Sequence, residues 1–242
     1  MFLVEQKMHT YVRNQWGLTF KLKSKLKLYL NSFCLLFLVV IFCSCTKNLT
    51  ELNVVYQNDF NQSSLKNSVT FDYYGSTKDK IFYFNGSKVL GPFNNAGADF
   101  NIDDIPDHNV LEVSFDLYTH DNWEGNKPTQ YGIPDLFVMK YDKNPRFLTS
   151  FSSNTQYKQS FPEWFPQGSN PAMGNAIRTD LPGRCAWKDR KNGTVMYKIV
   201  QQFAHSNKSF QLSLSDALQP FNAECEKSWS IDNIKITAFK YY

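Results

Sequence analysis

Very little in this chain of 242 residues is arranged for catalysis. It has no HExxH pair for zinc, no GxSxG nucleophile turn and no glycine-rich phosphate loop ending in Gly-Lys-Ser/Thr. There is no CxxC and no Cys/His spacing for a structural zinc site. Charge of one sign is also scarce. The formal net charge is +4, and residues 1–44 carry six Lys/Arg (Lys7, Arg13, Lys21, Lys23, Lys25, Lys27) against the single acid Glu5. From Cys45 onward the chain is therefore close to neutral, with no electrostatic reason to expect a nucleic-acid partner. Amphipathic helical periodicity is almost absent, and there is no internal repeat. Aromatics are plentiful, with Phe 21 and Tyr 13, enough for one sizeable core.

The basic excess at the front belongs to an address. Lys21, Lys23, Lys25 and Lys27 precede an unbroken apolar run of ten residues, 33–42. That run is short for a bilayer span and suits the central region of a signal peptide. The "FCSC" that follows resembles the lipobox of bacterial lipoproteins. Cys45 takes the place of the lipidated residue, Ser44 is the small residue before it, and Phe42 departs from the usual aliphatic position. The resemblance implies a mature N-terminus at Cys45, acylated and held at a membrane. Thr46 in place of Asp resembles lipoproteins sorted to the outer membrane. An ordinary signal peptide or a retained anchor is the alternative. Cys34 and Cys43 would leave with the signal peptide and Cys45 would be acylated. Cys185 and Cys225 remain, an even pair in an exported body, and are predicted to form a disulfide.

Residues 45–53 read as the lipidated cysteine and a short polar tether, and residues 54–242 as one domain. "VVYQNDF", "SVTFDYY", "KIFYFNG", "NVLEVSFDLY", "PDLFVMKYD", "RFLTSFSS", "TVMYKIVQQF", "SFQLSLSD" and "WSIDNIKITAF" are rich in aromatic and β-branched residues. Several alternate, as Leu111, Val113, Phe115 and Leu117 do against Glu112, Ser114 and Asp116. Period two with Gly, Pro, Asn and Asp between the runs predicts an all-β, two-sheet antiparallel sandwich of jelly-roll type. Residues 153–193 break the pattern with four prolines and predict an insertion packed on the sandwich.

Taken together, "YQNDF", "VLGPF", "DIPDHNVLEVSFDLYTHDNWEGN", "PDLF", "TSFSS", "QSFP", "YKIVQQFAHSNKSFQLSLSD" and "CEKSWSIDNIKI" resemble a group of exported bacterial jelly-roll domains. The group is similar to concanavalin-like and galactose-binding-like sandwiches. Its Asp-Ser-Trp-Asp-Gly reads Asp121-Asn122-Trp123-Glu124-Gly125 here, and its Ser-Trp-Gly-Ile-Asp-Asn has Ser230 in place of glycine. The resemblance implies a sandwich, and in the galactose-binding-like relatives first- and last-strand residues share a structural calcium. Asn58, Asp59, Asp232 and Asn233 are the corresponding oxygen donors. The alternative is that these residues face outward or cap turns.

"THDNWEGN", residues 119–126, is the candidate ligand loop. An indole offers a flat face to a sugar ring, and carboxylates and amides hydrogen-bond its hydroxyls. His120, Asp121, Trp123, Glu124, Asn126 and Asp135 are the residues of that reading. A cation held by Asp121, Asn126 and Asp135 is a second reading, and an Asx-rich turn with Trp123 packed on the core a third. His108 and His205 are read as hydrogen-bonded residues at a strand start and a turn, and Trp164, Trp187 and Trp229 as packing. The sequence thus predicts a lipid-anchored envelope protein that binds glycan or a surface protein without catalysis. The rivals are a glycoside hydrolase or polysaccharide lyase, and a structural or adhesive module.

Overall fold

The computed structural model describes residues 49–62, 69–72, 80–130, 132–220 and 223–242. The signal segment and Cys45 lie outside these residues. The described residues form twelve strands and no helix. The first six are β1 (Leu49–Asn58), β2 (Val69–Asp72), β3 (Ile81–Phe84), β4 (Ser87–Phe93), β5 (Gly97–Ile102) and β6 (Val110–Asp121). The others are β7 (Leu136–Tyr141), β8 (Asn144–Thr149), β9 (Arg178–Leu181), β10 (Thr194–Ala204), β11 (Phe210–Ala217) and β12 (Lys227–Tyr241). A seven-stranded sheet runs β3-β4-β12-β6-β10-β9, with β1 also paired to β12. A five-stranded sheet runs β2-β5-β11-β7-β8, and pairing is antiparallel throughout. This is an antiparallel β-sandwich of jelly-roll type.

The alternation that predicts strands also sets the faces. Leu111, Val113, Phe115 and Leu117 of β6 are fully buried between the sheets, while Glu112 and Ser114 point the other way. Across the ladder, Ile234, Ile236 and Ala238 of β12 and Val195, Tyr197 and Ile199 of β10 complete the inner face. Three strands escape the sequence reading. In β4, Gly91 adopts φ 142°, and a Cβ there would lie 2.7 Å from that of Ser230, so β4 can approach β12 only with glycine. β5 opens on Gly-Ala, and β9 is a four-residue edge piece inside the stretch 153–193. That stretch contributes to the core itself through Phe161, with Met173 and Ala176 packed against it. The disulfide Cys185–Cys225 joins it to the residues before β12, with Cα atoms 4.9 Å apart.

One boundary moves. The tether expected over residues 45–53 is strand from Leu49 onward, because Leu49 pairs with Tyr241, Leu52 with Phe239 and Asn53 with Ala238. The folded body therefore starts five residues before position 54.

The sheets meet through rings. Trp229 of β12 lies 4.5 Å from Phe93 and 5.1 Å, edge-on, from Phe137 of the opposite sheet. Its indole N–H donates to the Asp216 carboxylate of β11 at 2.6 Å. The same carboxylate accepts from the backbone N–H groups of Asn95, Leu218 and Ala96, at 2.7, 3.1 and 3.4 Å. Burial pushes the Asp216 carboxyl up to about 6 despite these donors. Its folded pKa thus lies above the unfolded value, so the folded state retains a proton that the unfolded chain releases. Stability from this group is greatest below about pH 4 and falls by about 3 kcal/mol as pH rises to about 6. The difference in melting temperature between the protein and Asp216→Asn should drop across that window; a flat difference would show that Asp216 does not titrate there.

Candidate functional site

The stretch 119–126 closes the end of the sandwich at which β6 stops and β12 starts. It is not a solvated loop. Thr119, His120 and Asp121 are the last residues of β6, and all three are buried. The His120 ring bonds Thr194 Oγ1 at 3.0 Å and Ser230 Oγ at 2.7 Å, with Phe84 edge-on at 4.8 Å. Burial, aided by the charge of Arg184, holds its pKa down at about 3, so it is a neutral packing residue. Asp121, at φ 63°, turns the chain out of the strand. Its Oδ1 accepts the backbone N–H of Trp187 at 2.9 Å and that of Cys185 at 3.2 Å. Burial raises its pKa against those donors.

Trp123 has 0% exposure. Its indole N–H donates to Ser228 O at 2.8 Å, and its ring meets Phe151 edge-on at 6.1 Å. This corrects the expectation of a sugar-stacking platform: the indole has no free face because it fills the end of the core. Gly125 follows at φ 58°, where a Cβ would lie 2.1 Å from Lys158 O. Asn126 is also committed. Its Oδ1 accepts from Ser150 Oγ and Ser160 Oγ, and its Nδ2 donates to Gly168 O at 3.0 Å. Asp121, Trp123 and Asn126 therefore hold the sandwich end to residues 150–193, and His120 holds β6 to β10 and β12. For the cation reading, Asn126 Oδ1 already accepts two hydroxyls and Asp135 Oδ2 pairs with Lys227, while Asp121 Oδ2 and Asp135 Oδ1 have no partner among the described residues.

Glu124 and Asp135 do come together, around Lys227. The Lys227 ammonium lies 2.7 Å from Asp135 Oδ2 and 3.5 Å from Glu124 Oε2. Asp135 is buried beneath it; burial raises the Asp135 pKa and Lys227 opposes the rise. Glu124 is half-buried and also pairs with Lys127 at 2.5 Å. Beside these groups opens a cleft of about 350 Å³ lined by Glu124, Lys127, Thr129, Gln130, Gln219 and Lys227, with Pro128 and Pro220. It presents one carboxylate, ammonium groups, amides and a hydroxyl. Sequence reading found only Glu124 of this set, because isolated Lys, Thr and Gln residues on turns look the same whether or not they line a cleft.

The four residues expected at a calcium do not form one donor set. Asn58 Oδ1 accepts Phe60 N at 2.8 Å, and Asp59 Oδ1 accepts Asn61 N at 3.2 Å. Asp232 is bonded by Asn233 N at 2.7 Å and Ser87 Oγ at 3.0 Å, while Asn233 Nδ2 donates to Asp116 at 2.8 Å. Burial raises the Asp232 pKa, and the negative charges of Asp116 and Asp59 add to the rise. Among the described residues no group of three or more His, Cys, Asp or Glu has metal-holding geometry. Of the remaining candidates, Trp229 is core, Trp164 is 42% exposed, and Trp187 carries Arg190 over its ring at 4.2 Å. His108 Nε2 and His205 Nδ1 hydrogen-bond each other at 2.7 Å.

No protein-family model matches the chain, and no curated protein sequence matches it. Distant likenesses exist among solved structures. A family GH115 4-O-methyl-alpha-glucuronidase with specificity for decorated arabinogalactans aligns with 77% of this chain at 14% identity and TM-score 0.34. This chain covers 18% of that protein's length. A CBM35 module from Cellvibrio japonicus aligns with 78% of this chain and 98% of its own, at 11% identity and TM-score 0.35. The CBM2 module of an evolved Dit protein of Lactobacillus casei phage J-1 aligns over 78% and 97%, at 9% identity and TM-score 0.39.

The packed role of Trp123 has a measurable consequence. Trp123→Ala should destabilise the fold by about 3–5 kcal/mol in denaturant titration, the range for emptying a buried aromatic site. A loss below about 1 kcal/mol would show that the indole is not part of the core.

Proposed function

We propose that this chain is a cell-envelope lipoprotein, anchored through Cys45 and sorted to the outer membrane, whose sandwich binds glycan without cleaving it. The observation that carries the binding reading is the cleft at the β6/β12 end. Glu124, Lys127, Thr129, Gln130 and Gln219 supply the mix of acceptors and donors that sugar hydroxyls use. A hydrolase of the usual kind needs two carboxyl groups facing each other across an open groove. Here the second acid, Asp135, is 1% exposed and spent on Lys227. The disulfide in the body agrees with an exported, oxidising location.

The test is a glycan array with the full chain beside Glu124→Gln and Lys127→Ala. For a ligand that binds the protein, either substitution should weaken affinity roughly 10- to 100-fold, the loss of one charge-assisted hydrogen bond. Unchanged affinity would place the ligand elsewhere, and release of reducing sugar from a polysaccharide would favour the hydrolase. An adhesive role draws support from Trp164 and Ile177, 42% and 52% exposed. Calcium is proposed at Asp59 and Asp232, since the charge of Asp59 adds to the rise in the Asp232 pKa and a cation would offset it. A melting temperature that rises with calcium and falls with chelator supports it; no shift removes it.

A further inference from the structure

Four exposed apolar or aromatic side chains of the body lie at the end opposite the cleft. Leu49, Leu52 and Val54 of β1 are 48%, 52% and 45% exposed. The register sets Leu49 against Tyr241, Leu52 against Phe239 and Val54 against Thr237. These residues share the face of the β1–β12 ribbon away from Ile236 and Ala238, which point into the core; Leu49, Leu52 and Val54 are exposed there, while Phe239 and Thr237 are buried. The rings of Phe239 and Tyr241 stack at 6.0 Å. Tyr242 follows at 80% exposure, with the Lys240 ammonium 5.7 Å from its ring. Apolar side chains edged by tyrosine and lysine are the mix that rests at a water–lipid boundary, where rings and long stems are buried and polar tips stay wet.

Chain length says what covers this strip. Because β1 starts at Leu49, only residues 46–48 separate it from Cys45. Four Cα steps reach at most about 14 Å. An acyl group on Cys45 therefore keeps Leu49 beside the bilayer surface. β12 runs the other way for 15 residues, from Lys227 at the cleft to Tyr241 beside Leu49. At about 3.3 Å per residue its ends lie roughly 45 Å apart.

We propose that the Leu49 end of the β1–β12 ribbon, with Leu52, Val54 and Tyr242, seats on the phospholipid surface and holds the Glu124 cleft at the membrane-distal end. The proposal rests on the lipoprotein reading above. Its test uses the mature full-length protein in phosphatidylethanolamine/phosphatidylglycerol vesicles carrying a spin-labelled phospholipid. A fluorophore is placed through Leu52→Cys in one sample and through Gln130→Cys, at the cleft, in another. Both positions are exposed, so an unchanged melting temperature is expected for each. Mass spectrometry first establishes the acyl group. The Leu52 probe should lose most of its fluorescence and the Gln130 probe almost none. An acylated, vesicle-bound protein with an unquenched Leu52 probe overturns the seating and leaves the lipoprotein reading intact. So does a dimer in sedimentation that shields Leu52 without quenching. A chain without the acyl mass overturns both.

Discussion

The hydrogen bond from the Trp229 indole to the Asp216 carboxylate is the constraint on which the sandwich depends. Two sheets packed through aliphatic and aromatic side chains have no directional contact to stop them sliding, because apolar burial is indifferent to small shifts. Trp229 belongs to β12 and Asp216 to β11, so this one bond joins the two sheets through the core at 2.6 Å. Its other donors, Asn95, Ala96 and Leu218, set the corner between β4 and β5 and the exit of β11. The rings around Trp229 then have fixed positions, and with them the path of β12. Because β12 touches β1, β4 and β6, its placement propagates to most of the larger sheet.

A second buried polar group closes the same end of the core. Lys227, the first residue of β12, is buried with Asp135 and reaches Glu124. An ion pair of this kind returns little net stability once both charges have left water, but removing either partner strands the other. What it supplies is position: it locks the residues after β6 to the start of β12 and leaves Glu124 facing solvent over a fixed ammonium. The cleft is thus built on a rigid floor, the condition under which a few polar contacts can select a ligand.

Much of the sandwich was legible because burial of one face forces period two on a strand. β6, β7, β10, β11 and β12 all show it, and the even pair Cys185 and Cys225 marked the disulfide. β4 hid because Gly91 interrupts its apolar pattern where β12 passes close, and β5 because it is short and opens on Gly97-Ala98, with few β-branched residues. β1 was read too short because an edge strand with exposed Leu49 and Leu52 looks like a polar tether. The stretch 119–126 misled for a different reason. Polar residues usually mark surface, yet Asp121, Asn126 and His120 are polar because backbone groups and hydroxyls at the sandwich end need partners away from water. The sequence shows the demand for hydrogen bonds and does not show which side of the surface they are on.

The two ends of β12 differ in chemistry, and that difference bears on function. At the Lys227 end, charged and amide side chains surround an open cleft, and each charge is held by a neighbour. At the Tyr241 end, leucine, valine and tyrosine are exposed. Neighbouring exposed apolar side chains are a surface that a lipid or protein partner can cover. β12 runs from one end of the domain to the other, with one bulge at residues 232–235, so whatever fixes one end aims the other. A short tether to a membrane at the Tyr241 end would therefore orient the cleft as well as the ribbon.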